Sequence, residues 1–321
     1  MNSQVVEKVS LVREDENISY ITPTINPLSC TVVIVETGHN IWLYDTGSHS
    51  DIPAMINSYN QAEKNINIVL ASGRLFNSVK NISNDLGGNK YIICGNGSLI
   101  YDLQNEEIIY DKFIEKNKAL QIINICEKNS IYYNIYTENM VIAKTLENNV
   151  LFYHQENANK PESKKTKINL VNDIYNYVEN LDNENILKIT ISDKNSIIFN
   201  SIIKKLRNIK NIDVLDVAHM SRKMIKSGTE AVSLEYYYTE ITSENVDKWN
   251  AISWLSEKIG ITREEIIAIG DNVNDKMMLE NAGLGIAMGN SAPYIQQIAD
   301  KVVANNNENG VAQAIEENCL Y

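Results

Sequence analysis

Between Ile266 and Ser291 the chain reads IIAIGDNVNDKMMLENAGLGIAMGNS, so an apolar segment runs into Gly270-Asp271, a helix-length stretch follows, and a second apolar segment closes the unit. A fully apolar strand, a turn and then an amphipathic helix is the pattern of a parallel sheet covered on both faces. The pattern recurs. A helical stretch from about Pro53 to Lys64 leads into the apolar run Ile66 to Ala71, then Ser72-Gly73-Arg74, a helix to about Leu86 and the strand Tyr91 to Cys94. Downstream, the periodicity predicts a helix over Val246 to Ile259 and a strand over Ile266 to Ile269. A helix over Asp275 to Ala282, a strand over Gly285 to Met288 and a short helix near Ala292 to Ala299 complete the series. Such alternation predicts an α/β core.

The segment between these two blocks, about Leu103 to Thr242, has a different texture. Strands such as Ile186 to Ile191 mix with helices predicted over Ile168 to Leu181 and Ser196 to Leu206, and the polar run Gln155 to Lys167 reads as a loop. This is an α+β insert of domain size. The first residues alternate in strand fashion instead, at Val9 to Val12, Ile18 to Ile21, Cys30 to Glu36 and Ile41 to Tyr44, with turn signals between them. The expected division is therefore a β-rich extension (1–50), a core in two segments (51–102 and 242–321) and an inserted domain (103–241).

Composition excludes several functions. With 41 acidic against 29 basic residues the formal charge is −12, which opposes the basic face that nucleic-acid binding needs. No stretch approaches the roughly 18 uninterrupted apolar residues of a membrane span, and the opening MNSQVVEKVSLVRED lacks a signal-peptide pattern. The four cysteines, Cys30, Cys94, Cys126 and Cys319, form no CxxC pair. A reduced, cytoplasmic setting is the expectation, with no nucleic-acid or membrane partner.

Chemistry concentrates at the strand ends. Asp271 stands at the carboxyl end of a buried strand, where open α/β sheets bind ligands, and Asp275 follows at the mouth of the next helix. Two converging carboxylates suit Mg2+, although a turn residue and a helix cap would look the same. Ser72 ends the strand INIVLA and opens a helix, a place that favours anions and equally suits a simple cap. Lys248 opens the helix DKWNAISWLSEKIGI, where a point cation can neutralise a phosphoryl group or stand solvated. Asn96-Gly97 follow YIIC as a turn. Tyr236-Tyr237-Tyr238, on a predicted strand of the insert, are candidates to contact a substrate or to pack a sheet.

Together these motifs resemble the haloacid dehalogenase superfamily, and within it the Cof-type phosphatases. The matching stretches are VLASGR (Val69 to Arg74), CGNGSLIYD (Cys94 to Asp102), VDKWNAISWLSEKIGI (Val246 to Ile261), the run from Gly270 to Ser291, Ala299-Asp300 and NGVAQAI (Asn309 to Ile315). The resemblance, which spans about Ile52 to the C-terminus, implies a Rossmann-like α/β core with an inserted α+β cap. It implies a Mg2+-dependent phosphomonoesterase acting through an aspartyl-phosphate on a small phosphorylated metabolite, such as a sugar phosphate or a phosphorylated cofactor. Under that likeness Ser72, Gly73 and Arg74 hold the phosphoryl group with Asn96, Gly97 and Asn274. Lys248 neutralises phosphate and nucleophile, and Asp271 and Asp275 hold the metal with Asp45.

The first motif departs from the family pattern, D-x-D-G-T at the end of the first core strand. Here LYDTGSHSD offers Asp45 as nucleophile and metal ligand, but Gly47 stands where the acid and base carboxylate belongs. The same segment, NPLSCTVVIVETGHNIWLYDTGSHSD, resembles the opening strands of metallo-β-lactamase-fold proteins. That fold's zinc site needs clustered histidines, and His39, His49, His154 and His219 are isolated from one another. Two accounts stay open: Asp45 works as a weakened nucleophile with water or His49 in place of the missing acid, or the protein binds Mg2+ and a phosphorylated ligand with little turnover.

Overall fold

The computed structural model describes residues 11–15, 18–21, 32–37, 40–45, 68–85, 90–158, 160–215, 220–227 and 230–319. The helix predicted over Pro53 to Lys64 lies outside them, as do Gly47 and His49. An antiparallel pair, β1 (Leu11–Asp15) and β2 (Ile18–Ile21), is followed by the hairpin β3 (Val32–Thr37) and β4 (Asn40–Asp45). Next come β5 (Ile68–Ala71), α1 (Phe76–Asp85), β6 (Tyr91–Cys94), β7 (Leu99–Asp102) and β8 (Glu107–Asp111).

The insert begins with α2 (Lys116–Lys128), β9 (Tyr132–Thr137), β10 (Met140–Ala143), α3 (Asn148–Ala158) and β11 (Lys167–Leu170). It continues through α4 (Ile174–Glu179), β12 (Ile186–Asp193), α5 (Ser196–Leu206), β13 (Ile212–Val214), β14 (Met220–Ser227) and β15 (Glu230–Ser243). The last elements are α6 (Lys248–Ile259), β16 (Ile266–Gly270), α7 (Lys276–Asn281), β17 (Leu284–Ala287), α8 (Pro293–Ile298), β18 (Lys301–Val302) and α9 (Gly310–Cys319).

Two large sheets organise these elements. The nine-stranded sheet runs β18-β17-β16-β4-β3-β5-β6-β7-β8, with β4 also touching β5, and the second runs β11-β10-β9-β12-β15-β13 with β14 on β15. In the first, β18, β17, β16 and β4 are mutually parallel, and β5 is parallel to β6. The hairpin strand β3 runs antiparallel between β4 and β5. This is the Rossmann-like core expected from the alternation of apolar strands and helices. Strands β5, β6 and β16 are buried on both faces, with Leu70, Ile92, Ile93, Ala268 and Ile269 all at 0 % exposure. Each fully buried leucine or isoleucine contributes about 1.5–3 kcal/mol of transfer free energy. Helix α6 covers one face through Ala251, Ile252 and Leu255; the Asp247 side chain caps it by accepting the Asn250 N–H, and Gly260 at φ +79° ends it.

Two expectations for the insert are corrected. The helix predicted over Ile168 to Leu181 is split, because β11 joins β10 as a parallel strand and the Asp173 side chain starts α4 by accepting the Asn176 N–H. The run Gln155 to Lys167 is not a plain loop. Helix α3 extends into it to Ala158, held by an ion pair from Glu156 to the core, and a short 3-10 turn and the start of β11 take up the rest. Among the described residues no helix is long and apolar enough to cross a membrane.

Candidate active site

The crevice is built at the carboxyl ends of β5, β6 and β16 and at the mouth of α6. The register brings β4 to the same edge. Leu43 pairs with Ala268, so the backbone of Asp45, two residues on, stands level with Gly270. By the other flank, Val33 faces both Tyr44 and Leu70, which sets Asp45 level with Ala71. Asp45 therefore ends its strand between Ser72 and Asp271, while its side chain lies outside the described atoms.

Lys248 and Asp275 form the buried centre. The ammonium is 2.5 Å from Asp275 Oδ1, and both side chains are at 0 % exposure. The other oxygen, Oδ2, accepts the backbone N–H groups of Asp271 (3.1 Å) and Asn272 (2.9 Å). Asp275 thus fixes both the lysine and the turn that carries Asp271. Gly270 makes room for it, since a Cβ there would stand 2.5 Å from Asp275 Cβ. Asp271 is half-buried, and its Oδ2 accepts from Asn290 Nδ2 at 2.9 Å. Asn290, in the GNS after β17, escaped the sequence reading.

Ser72 is fully buried at the end of β5. Its N–H donates to Ile93 O, its carbonyl accepts the Asn96 N–H, and its Oγ accepts the Arg74 N–H at 3.2 Å. Asn96 adopts φ +62°, a left-handed conformation that asparagine tolerates, and its Oδ1 accepts from Asn274 Nδ2 at 3.1 Å. These bonds tie the Ser72 turn to the turn carrying Asp271. Asn96 Nδ2 in turn donates to Glu240 Oε2 on β15, and Glu240 Oε1 lies 2.6 Å from Lys188 Nζ on β12. Lys188 also sits over the Tyr136 ring, 4.8 Å from its centroid. Neither Lys188 nor Glu240 was singled out in the sequence; the signal for the first was a lysine inside the otherwise apolar ILKITI.

Three residues have geometries of their own. Gly73 has no room for a side chain, because a Cβ would meet Asn96 Oδ1 at 2.5 Å and Lys188 Nζ at 3.4 Å. Gly97, read as a substrate contact, is needed for packing: at φ +102° its Cβ would lie 2.2 Å from the Asp247 carbonyl at the start of α6. The Arg74 guanidinium bonds Ser78 and forms an ion pair with Glu156 on α3, 3.2 Å away, linking core to insert. Burial pushes the Glu156 carboxyl up, but Arg74 and Lys160 outweigh it and hold its pKa at about 2. Burial also raises the Tyr136 hydroxyl well above its ordinary value and Tyr153 to about 12, so both stay neutral donors. The tyrosine run on β15 mainly packs: Tyr236 is fully buried with its hydroxyl on Asn149 Oδ1, and Tyr237 lies against Phe199.

Among the described residues no group of three or more acidic, histidine or cysteine side chains gathers to hold a metal. Mg2+ requires less, one or two carboxylates with water and a substrate phosphate completing its shell. Asp271, half-buried at the crevice, fits that requirement; Asp275, expected as a second ligand, stands behind it with Oδ1 on Lys248 and Oδ2 on the Asp271 and Asn272 amides, which makes it a positioning residue.

A family model for haloacid dehalogenase-like hydrolases matches residues 47–315. The chain belongs to this family. Its relatives include Phosphatase YwpJ of Bacillus subtilis, 26% identical over 272 residues, covering 80% of this chain and 89% of that protein. Another is the 5-amino-6-(5-phospho-D-ribitylamino)uracil phosphatase YitU of the same organism, 26% identical, with 78% and 84% covered. A crystal structure of a haloacid dehalogenase-like hydrolase from Bacteroides thetaiotaomicron superposes with a TM-score of 0.60 at 27% identity, over 82% of this chain and 89% of that one. As a haloacid dehalogenase-like hydrolase the chain is an enzyme. The family match starts at Gly47, two residues past Asp45, and these relatives lend no support to the metallo-β-lactamase likeness of the first fifty residues.

Proposed function

We propose that the protein is a Mg2+-dependent phosphatase that hydrolyses the phosphomonoester of a small metabolite, with the insert from α2 to β15 closing as a cap over the nine-stranded sheet, which takes in β3 and β4 from the expected extension (1–50) and β8 from the expected insert (103–241). The observation that carries this reading is the convergence of Ser72, Asn96, Lys248, Asp271 and Asp275 on one strand-end crevice where β4 delivers the backbone of Asp45. The relatives bear phosphatase names, and one of them acts on a phosphorylated ribityl compound. Buried free Cys94 and Cys126 accord with a reducing cytoplasm.

In this reading an oxygen of the Asp45 carboxylate attacks phosphorus, and the bond from phosphorus to the ester oxygen breaks. The leaving alkoxide takes a proton from water or from His49, since Gly47 has none to give. Water then hydrolyses the aspartyl-phosphate and releases phosphate, freeing Asp45 for another turn. Ser72 Oγ and the Gly73 and Arg74 amides receive phosphoryl oxygens at the start of α1. Lys248, held by Asp275, offsets the negative charge of nucleophile and phosphate in a site closed to water. Asp271, with Asp45, would hold Mg2+, which supplies Lewis-acid polarisation of the phosphoryl group, while Asp275 holds the Asp271 turn and Lys248 in place.

Hydrolysis of para-nitrophenyl phosphate with Mg2+ tests the assignment. Asp45→Asn and Asp271→Asn are each expected to cut kcat by about 10² to 10⁴ or more. An Asp45→Asn enzyme as fast as the parent removes that residue from the mechanism, and a parent inert towards every phosphomonoester offered removes the function itself.

A further inference from the structure

One cation of the insert reaches the phosphate turn. Lys188 interrupts the apolar run ILKITI on β12, and its side chain is only 5 % exposed. Side chains alternate along a strand, so Ile189, with its cross-strand partners Ile135 and Ile241, fills the apolar face of the insert's sheet, while Lys188 and Tyr136 point from the other. That other face meets the core. A Cβ at Gly73 would stand 3.4 Å from Lys188 Nζ, which puts the ammonium within about 5 Å of the Gly73 Cα. Gly73 and Glu240 are each partly exposed, so both sides of this approach meet solvent.

The ammonium is held but not saturated. A lysine head has three donors. One goes to Glu240 Oε1 at 2.6 Å, and the Tyr136 ring covers another side with its centroid at 4.8 Å; among the described residues Lys188 makes no second side-chain hydrogen bond. Glu240 is engaged on both oxygens, Oε1 by Lys188 and Oε2 by Asn96 Nδ2, so it fixes where the ammonium stands. A donor withdrawn from water and left unpaired is costly, and an oxygen bound beside it removes that cost. Lys248, by contrast, is engaged by Asp275 on the core side of the crevice.

These positions bear on the proton that Gly47 cannot give. In an in-line displacement the attacking and leaving oxygens stand on opposite sides of phosphorus. Strand β4 brings Asp45 up from the core sheet, so the ester oxygen departs towards the insert, from which Lys188 faces the turn. We infer that Lys188, positioned by Glu240, is the general acid and base of the reaction in place of the carboxylate missing at Gly47. This rests on the phosphatase reading and sets a side chain of the insert against water and His49 as the proton source. As the bond from Asp45 to phosphorus forms and the ester bond breaks, the leaving oxygen takes a proton from the ammonium. In the second step water attacks phosphorus from the same side, the bond to Asp45 breaks, and the proton of that water returns to the amine. Ester and water give alcohol and phosphate, and the lysine ends as it began.

Leaving-group chemistry tests the assignment on the full chain. Benzyl phosphate and para-nitrophenyl phosphate are similar in size, but the benzyl alkoxide needs a proton to depart and para-nitrophenolate does not. Lys188→Arg keeps the charge yet gives up no proton, because a guanidinium stays protonated in proteins. The double variant Lys188→Met with Glu240→Gln removes both charges and strands neither. Single-turnover release of benzyl alcohol or para-nitrophenol with Mg2+ reads the first step alone, and thermal melts establish that each variant is folded. Both variants are expected to slow benzyl alcohol release by about 10² to 10⁴ and para-nitrophenol release by less than about 5-fold. Equal slowing of the two leaving groups makes the lysine structural or purely electrostatic and overturns the assignment. Benzyl alcohol release at the parent's rate overturns it too, and leaves the proton to water or His49. A parent that releases only para-nitrophenol sinks the proton donor alone, whereas a parent inert towards both probes sinks the phosphatase reading and the donor with it.

Discussion

Lys248 Nζ stands 2.5 Å from Asp275 Oδ1 with both side chains closed to solvent, and the same carboxylate holds the amides that shape the Asp271 turn. A buried charge whose partner is removed destabilises a fold by about 3–5 kcal/mol. Asp275→Asn is therefore expected to lower unfolding free energy by that order in urea titrations and to cut phosphatase activity in the surviving folded fraction. Lys248→Met strands the carboxylate and is expected to cost as much. Either variant unfolding at the parent's urea midpoint would show that the pair is not isolated from water.

Glu156 gives a pH signature. Its folded pKa of about 2 lies below the ordinary glutamate value near 4.5, so the contribution of the Arg74 ion pair is complete above about pH 4.5 and fades as pH falls towards 2. The shift corresponds to about 3 kcal/mol. The unfolding free-energy gap between the parent and Glu156→Gln is expected to be largest at neutral pH and to shrink across that acid window. A gap that stays constant from pH 6 to pH 2.5 contradicts the assignment.

Two glycines at positive φ separate strain from collision. At Gly260 (φ +79°) a Cβ meets nothing within 4 Å, so Gly260→Ala carries backbone strain alone, about 1 kcal/mol. At Gly97 (φ +102°) the Cβ would strike the Asp247 carbonyl at 2.2 Å, displacing the start of α6 and with it Lys248. Gly97→Ala is expected to cost several kcal/mol and most of the activity. Equal melting temperatures for the two variants would refute the packing role.

Metal binding has its own readout. Millimolar Mg2+ is expected to raise the parent's melting temperature by mass action, and Asp271→Asn to abolish the increase while leaving the metal-free melting temperature within a few degrees.

Gly47 invites the reverse experiment. Gly47→Asp supplies the carboxylate that the family pattern places two residues after the nucleophile, and proton transfer of this kind contributes about 10² to 10⁴ in rate. Steady-state kinetics with para-nitrophenyl phosphate are expected to show a rise in kcat of about 10-fold or more with little change in KM. A fall in kcat places the proton donor elsewhere.

Strongly periodic stretches were legible from sequence: the strands Tyr91–Cys94 and Ile266–Gly270 and the helix Ser196–Leu206 follow from apolar runs bounded by turns or caps. The split of Ile168 to Leu181 was not, because a tertiary pairing with β10 overrides local helical spacing. The core side of the site was likewise visible, since Ser72, Asn96, Lys248, Asp271 and Asp275 sit in compact motifs. Its insert side was hidden. Lys188 and Glu240 lie 52 positions apart in sequence and meet only once β12 and β15 pair, and nothing in a single strand's pattern marks which of its faces will look at the crevice.

Strand β15 ends at Ser243, and the helix bearing Lys248 begins five residues later. The same strand carries Glu240, which grips Asn96. Only four residues of chain, Glu244 to Asp247, therefore separate the insert's sheet from the buried ammonium, so the strand that meets the phosphate turn and the helix that bears the lysine are spaced by one short tether.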